Sequence, residues 1–314
     1  MKSIHLILSL VIAFIISCSD STLKNKGSLD SSSTSKLDGF WERKGTIQFV
    51  NGKPIDTIIF GIDEIGFRNY KAFGDGSIFW INNSKSQNTP WKGGAGGYGK
   101  FKITNDTLIE HMSHGSGGFG AFLHYLNDSL KTSFQEYKFG FNLTEKNYTQ
   151  LGGNVPNSDD VDITFGEYYE KKPSLRKSKM DGVWKRAYEI TYLNGVAIDT
   201  TTVPSDAILD VKIINDGYVI VQVDQTRMIN DSSKSEYGGG GAFGQIDYDD
   251  NGNMTEYFEF FSGQWPGGDN PPRDPKTAHY ARVSFYDNDM YLQITKDTLN
   301  QNAAGRGVVY KRIQ

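Results

Sequence analysis

Between about residue 37 and the C-terminus, apolar and polar positions alternate in short runs. Thr46-Ile47-Gln48-Phe49-Val50 and Glu189-Ile190-Thr191-Tyr192-Leu193 are β-branched and aromatic with near-strict alternation, and each runs into Asn-Gly, at Asn51-Gly52 and Asn194-Gly195. A period of two predicts strands with one buried face. Asn-Gly predicts a type I′ hairpin, because both central residues of that turn need positive φ. Asp75-Gly76 and Asp216-Gly217 repeat the device, and Phe134 to Leu143, Asp206 to Val223 and His279 to Ile294 continue the strand chemistry. No window sustains a 3.6-residue period. Many hairpin-linked strands predict an all-β chain, with a closed antiparallel barrel that exposes no sheet edge; a sandwich is the competing architecture.

The pattern occurs twice. Leu37-Asp38-Gly39-Phe40-Trp41, then Asn51-Gly52 and Ile55-Asp56-Thr57, recurs without a gap as Met180-Asp181-Gly182-Val183-Trp184, Asn194-Gly195 and Ile198-Asp199-Thr200. Further along, the glycine run at Gly93 to Gly99 answers to Gly238 to Gly244, Glu110 to Glu256, and Tyr169-Glu170-Lys171 to Tyr310-Lys311-Arg312. Two homologous domains follow, residues 37–172 and 180–314, joined by the short basic linker 173–179.

Gly39-Phe40-Trp41 and Gly182-Val183-Trp184 resemble the Gly-x-Trp signature on the first strand of lipocalins. Lys171 and Arg312 stand on the last strand, where that family sets a basic side chain across the tryptophan. The resemblance implies two tandem lipocalin-like, calycin-type barrels, with Gly39, Trp41, Lys171, Gly182, Trp184 and Arg312 closing one end of each. Packing a cation on an indole face is a structural lock. A lysine in the first copy departs from the arginine pattern, since only the planar guanidinium stacks well. Gly97 to Phe101 and Thr107 to His111 look like the middle of small lipocalin-like domains in uncharacterised bacterial lipoproteins.

The N-terminus gives an address. Met1-Lys2 precedes an apolar stretch, Leu6 to Ile16, of secretory length and too short to span a bilayer. It ends in Ile15-Ile16-Ser17-Cys18, which resembles the bacterial lipobox; the resemblance implies a signal peptide at 1–17 and lipidation of Cys18, with palmitate among the acyl chains. Residues 18–36 are rich in Ser, Lys and Asp and read as a flexible tether. Two or three acyl chains anchor a domain stably where one would not. Ser19 in place of Asp after the cysteine favours the outer membrane by the sorting rule of Gram-negative lipoproteins.

Composition narrows the classes. The chain has 314 residues, a formal net charge of −4 and one cysteine, which excludes an intrachain disulfide and a Cys-based zinc site and argues against nucleic acid as a partner. The 35 glycines read as rim loops or bulges where the backbone curves sharply. GGAGGYGK and GGGGAFGQ enter strands and lack the Gly-Lys-Ser/Thr of a P-loop, so no nucleotide is implied.

Candidate chemistry is sparse. His111 and His114 point to opposite faces of an extended strand unless a bulge intervenes, so they do not form a metal site. Asp247, Asp249, Asn251 and Asn253 match the opening of an EF-hand calcium loop, but the twelfth position is Phe258 and the same residues suit a plain hairpin. No G-x-S-x-G elbow occurs, and no cysteine nucleophile remains after lipidation, so the chain is expected to be no enzyme and to need no cofactor. Glu110 and Glu256 lie on strands in both copies; inward they would orient a polar ligand or pair with a buried base, outward they are ordinary surface. Trp91 and Trp265 are candidate sugar platforms, and His111 a candidate ligand contact. The expectation is a lipid-anchored envelope protein that binds a small apolar or amphipathic molecule in a barrel lumen. The alternatives are a carbohydrate-binding or protein-interaction accessory lipoprotein using Trp-bearing loops, and an enzyme on the same scaffold.

Overall fold

The computed structural model describes residues 36–51, 53–59, 68–83, 94–117, 119–120, 123, 130, 132–155, 163–203, 209–224, 239–263, 265, 270–295 and 304–313. The signal segment 1–17, Cys18 and the tether up to residue 35, together with Trp91, lie outside the described residues.

The chain forms two closed eight-stranded antiparallel barrels in tandem. In the first, β1 (Gly39–Val50) closes on β9 (Ile163–Lys171). The first half of β1 pairs with β3 (Asn69–Gly74) and its second half with β2 (Lys53–Ile59), so β2 and β3 fill one wall position in succession. β4 (Ser77–Asn82), β5 (Ala95–Thr104), β6 (Thr107–Ser116), β7 (Gln135–Leu143) and β8 (Asn147–Val155) complete the wall in sequence order. The second barrel repeats this with β10 (Gly182–Leu193), β11 (Val196–Thr202), β12 (Leu209–Asn215), β13 (Tyr218–Asp224), β14 (Gly240–Tyr248), β15 (Asn253–Gly263), β16 (Ala278–Asp287), β17 (Met290–Thr295) and β18 (Ala304–Arg312). Asn51, Asp75, Asn194 and Asp216 all have positive φ, as do Gly76, Gly195 and Gly217, so the hairpins take the turn their residues favour.

One end of each barrel is closed by the same device. Trp41 and Trp184 are fully buried, and each indole Nε1 donates to a carbonyl four residues earlier, Leu37 or Met180, at 2.7 Å. Lys171 Nζ lies 5.2 Å from the Trp41 ring, and the Arg312 guanidinium 4.2 Å from the Trp184 ring. Gly39 and Gly182 have φ of 124° and 144°, and a Cβ there would meet these basic side chains. The closer seat of the planar guanidinium is the difference expected between arginine and lysine.

The glycine runs are strand, not loop: Gly96 to Gly99 belong to β5 and Gly240 to Gly244 to β14. The physical reason is an extra residue on the facing strand. Ser113 in β6 and Glu259 in β15 are unpaired bulge residues, and a Cβ at Gly99 or Gly244 would overlap the carbonyl of His111 or Tyr257 opposite.

The barrels dock side by side through β3–β6 and β12–β15, the same strands of each copy. Outward-facing Phe40, Tyr70 and Tyr98 interleave with Val211, Tyr218, Phe243 and Phe260 in one buried apolar cluster. Tyr70 stacks on Phe243 with centroids 3.8 Å apart, and Phe40 lies 5.5 Å from Tyr218. Polar ties flank this seam: Arg68 pairs with Glu259, Ser116 Oγ donates to Gln222 at 2.9 Å, and Gln222 Nε2 donates to the Trp80 carbonyl at 3.2 Å. The linker is pinned to the second barrel, with Ser174 and the Leu175 N–H both donating to Asp216.

Candidate lumen sites

Strand alternation decides what enters each lumen. Trp41, Arg43, Lys71, Glu110, Tyr148, Gln150 and Tyr169 share the inward face of the first wall. Their counterparts in the second are Trp184, Arg186, Lys212, Glu256, Tyr291, Gln293 and Tyr310. Glu110 and Glu256 are each 4% exposed and face inward.

Each glutamate holds a buried lysine. Lys71 Nζ lies 2.6 Å from Glu110 and donates to Gln150 Oε1 at 2.9 Å; Lys212 Nζ lies 3.0 Å from Glu256 and donates to Gln293 at 3.1 Å. The ammonium sits over the Tyr169 ring at 5.6 Å in one lumen and over Tyr310 at 4.5 Å in the other. Tyr148 stacks on Tyr169 at 4.6 Å, and Tyr291 on Tyr310 at 5.2 Å. Burial pushes the Glu110 carboxyl above the usual range, against the pull of Lys71. Burial opposes the Lys212 charge, yet Glu256 and the surrounding tyrosines hold that ammonium well above its ordinary value.

A second ion pair sits beside the first and has changed strands between copies. Arg43 pairs with Glu167 of β9 at 2.9 Å, while Arg186 reaches Asp210 of β12 at 3.5 Å. Asn69 stands where Asp210 stands, and Val308 where Glu167 stands. The arginine keeps a carboxylate through the exchange, which keeps its buried charge compensated. Arg43 and Lys71 hold Glu167 below the usual range despite its burial, whereas burial lifts Asp210 above it.

Around these centres the lumens are packed with large side chains. In the first, Phe73, Phe101, Leu108, Met112 and Leu123 are buried, with Trp80, Phe119 and Phe139 against them. Phe119 and Leu123 come from helical residues between β6 and β7. The second lumen is filled by Val219, Ala242, Met254, Phe258 and Val283, among others. Among the described residues, oxygens at equivalent positions of the two lumens lack a hydrogen-bond partner: the hydroxyls of Tyr148 and Tyr291, and Oδ1 of Asn69 and Asp210.

The other sequence candidates lie elsewhere. A bulge does intervene at Ser113, so His111 and His114 share the outward face, but His111 Nε2 contacts Glu136 at 2.7 Å and His114 Nδ1 contacts Ser113 at 2.8 Å. Trp265 is half-buried against Gly240 and the second-barrel core. Asp247 pairs with Arg273, and Asp249 accepts from the N–H groups of Asn251 and Asn253 at 2.9 and 2.8 Å, closing a hairpin turn. Among the described residues no three His, Cys, Asp or Glu side chains converge as metal ligands, and no helix is long and apolar enough to cross a membrane.

A crevice of about 180 Å³ lies between the closed ends, lined by Asp38, Asp75, Asp181 and Arg312 among others. Burial and the neighbouring Asp75 push the Asp38 carboxyl up to about 6, against the pull of Lys171. Asp75 also accepts from the Val183 N–H of the second barrel at 3.3 Å.

Sequence reasoning missed Lys71, Lys212, Gln150, Gln293, Tyr148 and Tyr291. The signal was present in the repeat: Tyr148-x-Gln150 answers to Tyr291-x-Gln293, and polar residues held at inward positions of both copies mark a shared interior.

Fold and site together define a class: tandem antiparallel barrels, docked wall to wall, each with a buried Lys-Glu-Gln centre under a stacked tyrosine pair. No protein-family model matches the chain, and no curated protein matches it. Among solved structures, an uncharacterised protein of Saccharomyces cerevisiae is similar at 9% identity and TM-score 0.39, over 88% of this chain and 98% of that one. A protein of unknown function from the DUF3598 family of Nostoc punctiforme aligns at 9% identity and TM-score 0.22, over 88% and 97%. A candidate outer membrane protein of Bacteroides fragilis aligns at 13% identity and TM-score 0.21, over 90% and 99%.

Proposed function

We propose that this chain is a lipid-anchored protein of the bacterial envelope whose lipocalin-like barrels bind a small amphipathic molecule, its polar end directed at the buried centre of the lumen. The observation that carries the reading is the duplication of that centre. Two barrels that have exchanged many apolar residues keep the same Lys-Glu-Gln triad and the same unpartnered tyrosine hydroxyl. A core needs none of these groups to be stable: replacing a buried ion pair by apolar residues of similar size is often neutral or stabilising. Pockets with a few convergent polar groups in an apolar wall are what orient a small ligand. The Gly-x-Trp and basic-residue geometry supports the lipocalin-like assignment, and the lipobox resemblance at Cys18 supports the anchor, with the outer membrane favoured by Ser19.

Native mass spectrometry of the full chain purified from its own host tests the binding claim. One or two copies of a small molecule, released on denaturation, are expected; a clean apo mass from freshly isolated protein contradicts it. For the anchor, metabolic labelling with palmitate is expected to mark the protein and to disappear in Cys18→Ala, and unchanged labelling contradicts the lipidation.

A further inference from the structure

The two barrels point the same way. Equivalent residues Ser116 and Ser262 meet across the seam at 3.4 Å, near the ends of β6 and β15, and at the tryptophan-closed ends a Cβ on Gly74 would lie 3.2 Å from Ile213. β1 and β10 run from those closed ends to their Asn-Gly turns. The β1–β2 and β10–β11 hairpins therefore both stand at the opposite, open end of the molecule.

Each hairpin carries one extra residue on its return strand. The register passes from Pro54 to Asp56 and from Ala197 to Asp199, which leaves Ile55 and Ile198 out of the ladder. A bulge re-aims a side chain, and here both copies turn an isoleucine to solvent, each 59% exposed. On the second hairpin Leu193 and Val196, partners across the turn, are 48% and 63% exposed. From Thr191 to Ile198 no side chain is charged, and the equivalent stretch of the first copy, Gln48 to Ile55, has only Lys53. The closed end differs: Asp106, Asp250 and Asp289 are exposed in its turns, and Arg176, Lys177 and Lys179 in the linker beside them. Charges of either sign resist leaving water, whereas aliphatic groups gain by it.

The anchor supplies the occupant. The tether joins the first barrel at Leu37, whose carbonyl holds the Trp41 indole at the closed end. Residues 19–36 reach at most about 60 Å when extended. The 12 residues of β10 rise about 40 Å at most. A chain held at Cys18 can therefore turn its open end to the same bilayer. Three aliphatic side chains are far short of the roughly 800 Å² per partner that a stable protein interface buries, but interfacial lipid accepts a small apolar tip and adds its share to an existing anchor.

Resting on the lipid anchor proposed above, we infer that the open ends of both barrels face the bilayer that holds the anchor, with Leu193, Val196 and Ile198 seated between the lipid headgroups and Ile55 entering beside Lys53, whose ammonium meets lipid phosphate. The duplicated barrel then touches the membrane at two points, one hairpin from each copy.

Depth quenching of the full chain tests this. The lipidated protein is bound to vesicles of phosphatidylethanolamine and phosphatidylglycerol containing a nitroxide-labelled phosphatidylcholine, and carries a bimane at Ala197→Cys or, as the closed-end control, at Lys177→Cys. Quenching at position 197 is expected to be roughly threefold greater than at 177. Val196→Lys with Ile198→Asp, both at exposed positions, is expected to bring it down to the control level while the chain still floats with the vesicles. Equal quenching at the two positions of a floating chain, or quenching that the two substitutions leave unchanged, overturns the inference and leaves the anchor standing. It is also overturned if sedimentation shows a dimer that these substitutions dissolve, since a second copy then covers the tip. A parent chain that floats no better than Cys18→Ala, with no quenching at 197, removes the anchor and the inference together.

Discussion

The residues that most clearly separate packing from chemistry are Lys212 and Glu256. Both are almost fully buried, 3.0 Å apart, in a lumen otherwise rich in apolar side chains. Removing one partner strands the other charge, so Lys212→Met is expected to cost about 3–5 kcal/mol in urea unfolding. The paired replacement Lys212→Met with Glu256→Leu is expected to recover most of that loss, because no uncompensated charge is then left buried. Recovery shows the pair to be dispensable for folding, and failure to recover shows that the fold depends on it. Gly182 offers a backbone test. With φ of 144° and Arg312 where a Cβ would stand, Gly182→Ala is expected to destabilise by about 1–3 kcal/mol. Gly39→Ala is expected to cost less, since its obstacle is the flexible end of Lys171.

Asp38 makes a pH prediction. Its carboxyl is raised from 3.8 to about 6 in the folded chain, so the folded state holds this proton more tightly than the unfolded one. That contribution to stability is complete below about pH 4 and is lost as pH rises through about 6. Asp38→Asn is expected to flatten this part of the stability profile, and urea midpoints measured from pH 4 to 7 check it. Parallel profiles for variant and parent would contradict the assignment.

At the scale of elements, the hairpins were legible and the seam was not. Asn51, Asn194, Asp75 and Asp216 announced their turns because a type I′ turn admits few residues, and the repeat of Gly-x-Trp and the terminal basic residue placed the closed end of each barrel. Alternation showed which positions lie on one face together, but not whether the outer face meets water or protein. Leu209 to Val223 gave the missing hint. Its long apolar run reads as a strand pair buried on both faces, and β12 and β13 are buried along almost their whole length against the first barrel. The glycine runs, read as rim loops or bulges, are strand facing bulges, for a related reason. Glycine marks close approach of backbone as well as loops, and Gly99 and Gly244 stand opposite bulged residues whose carbonyl neighbours leave no room for a Cβ. Of the buried Lys-Glu-Gln centres, only Glu110 and Glu256 were singled out from sequence, since their lysine partners lie 39 and 44 residues away and nothing local signals the pairing.

For the whole molecule, the two barrels share one apolar seam, and the seam should couple their unfolding. Tyr70 and Phe243 lie at its centre, stacked at 3.8 Å. Calorimetry of the full chain is expected to show a single transition. Tyr70→Ala is expected to cost about 3–5 kcal/mol and to separate the unfolding of the two barrels. Two resolved transitions in the parent would mean that the barrels are docked but energetically independent. Under the proposed function, coupled barrels would present two lumens as one unit, and duplication would double the binding capacity without a new fold.

That claim comes down to what occupies the two lumens. A high-resolution crystal structure of the full chain, isolated from its own host without added lipid or alcohol, addresses it most directly. The expected result is non-protein density of the same shape against the Tyr148 and the Tyr291 hydroxyls, extending from the Lys-Glu-Gln centre along the apolar wall. Lumens in which both hydroxyls meet only protein atoms or isolated waters would contradict ligand binding and leave the buried centres as parts of a core.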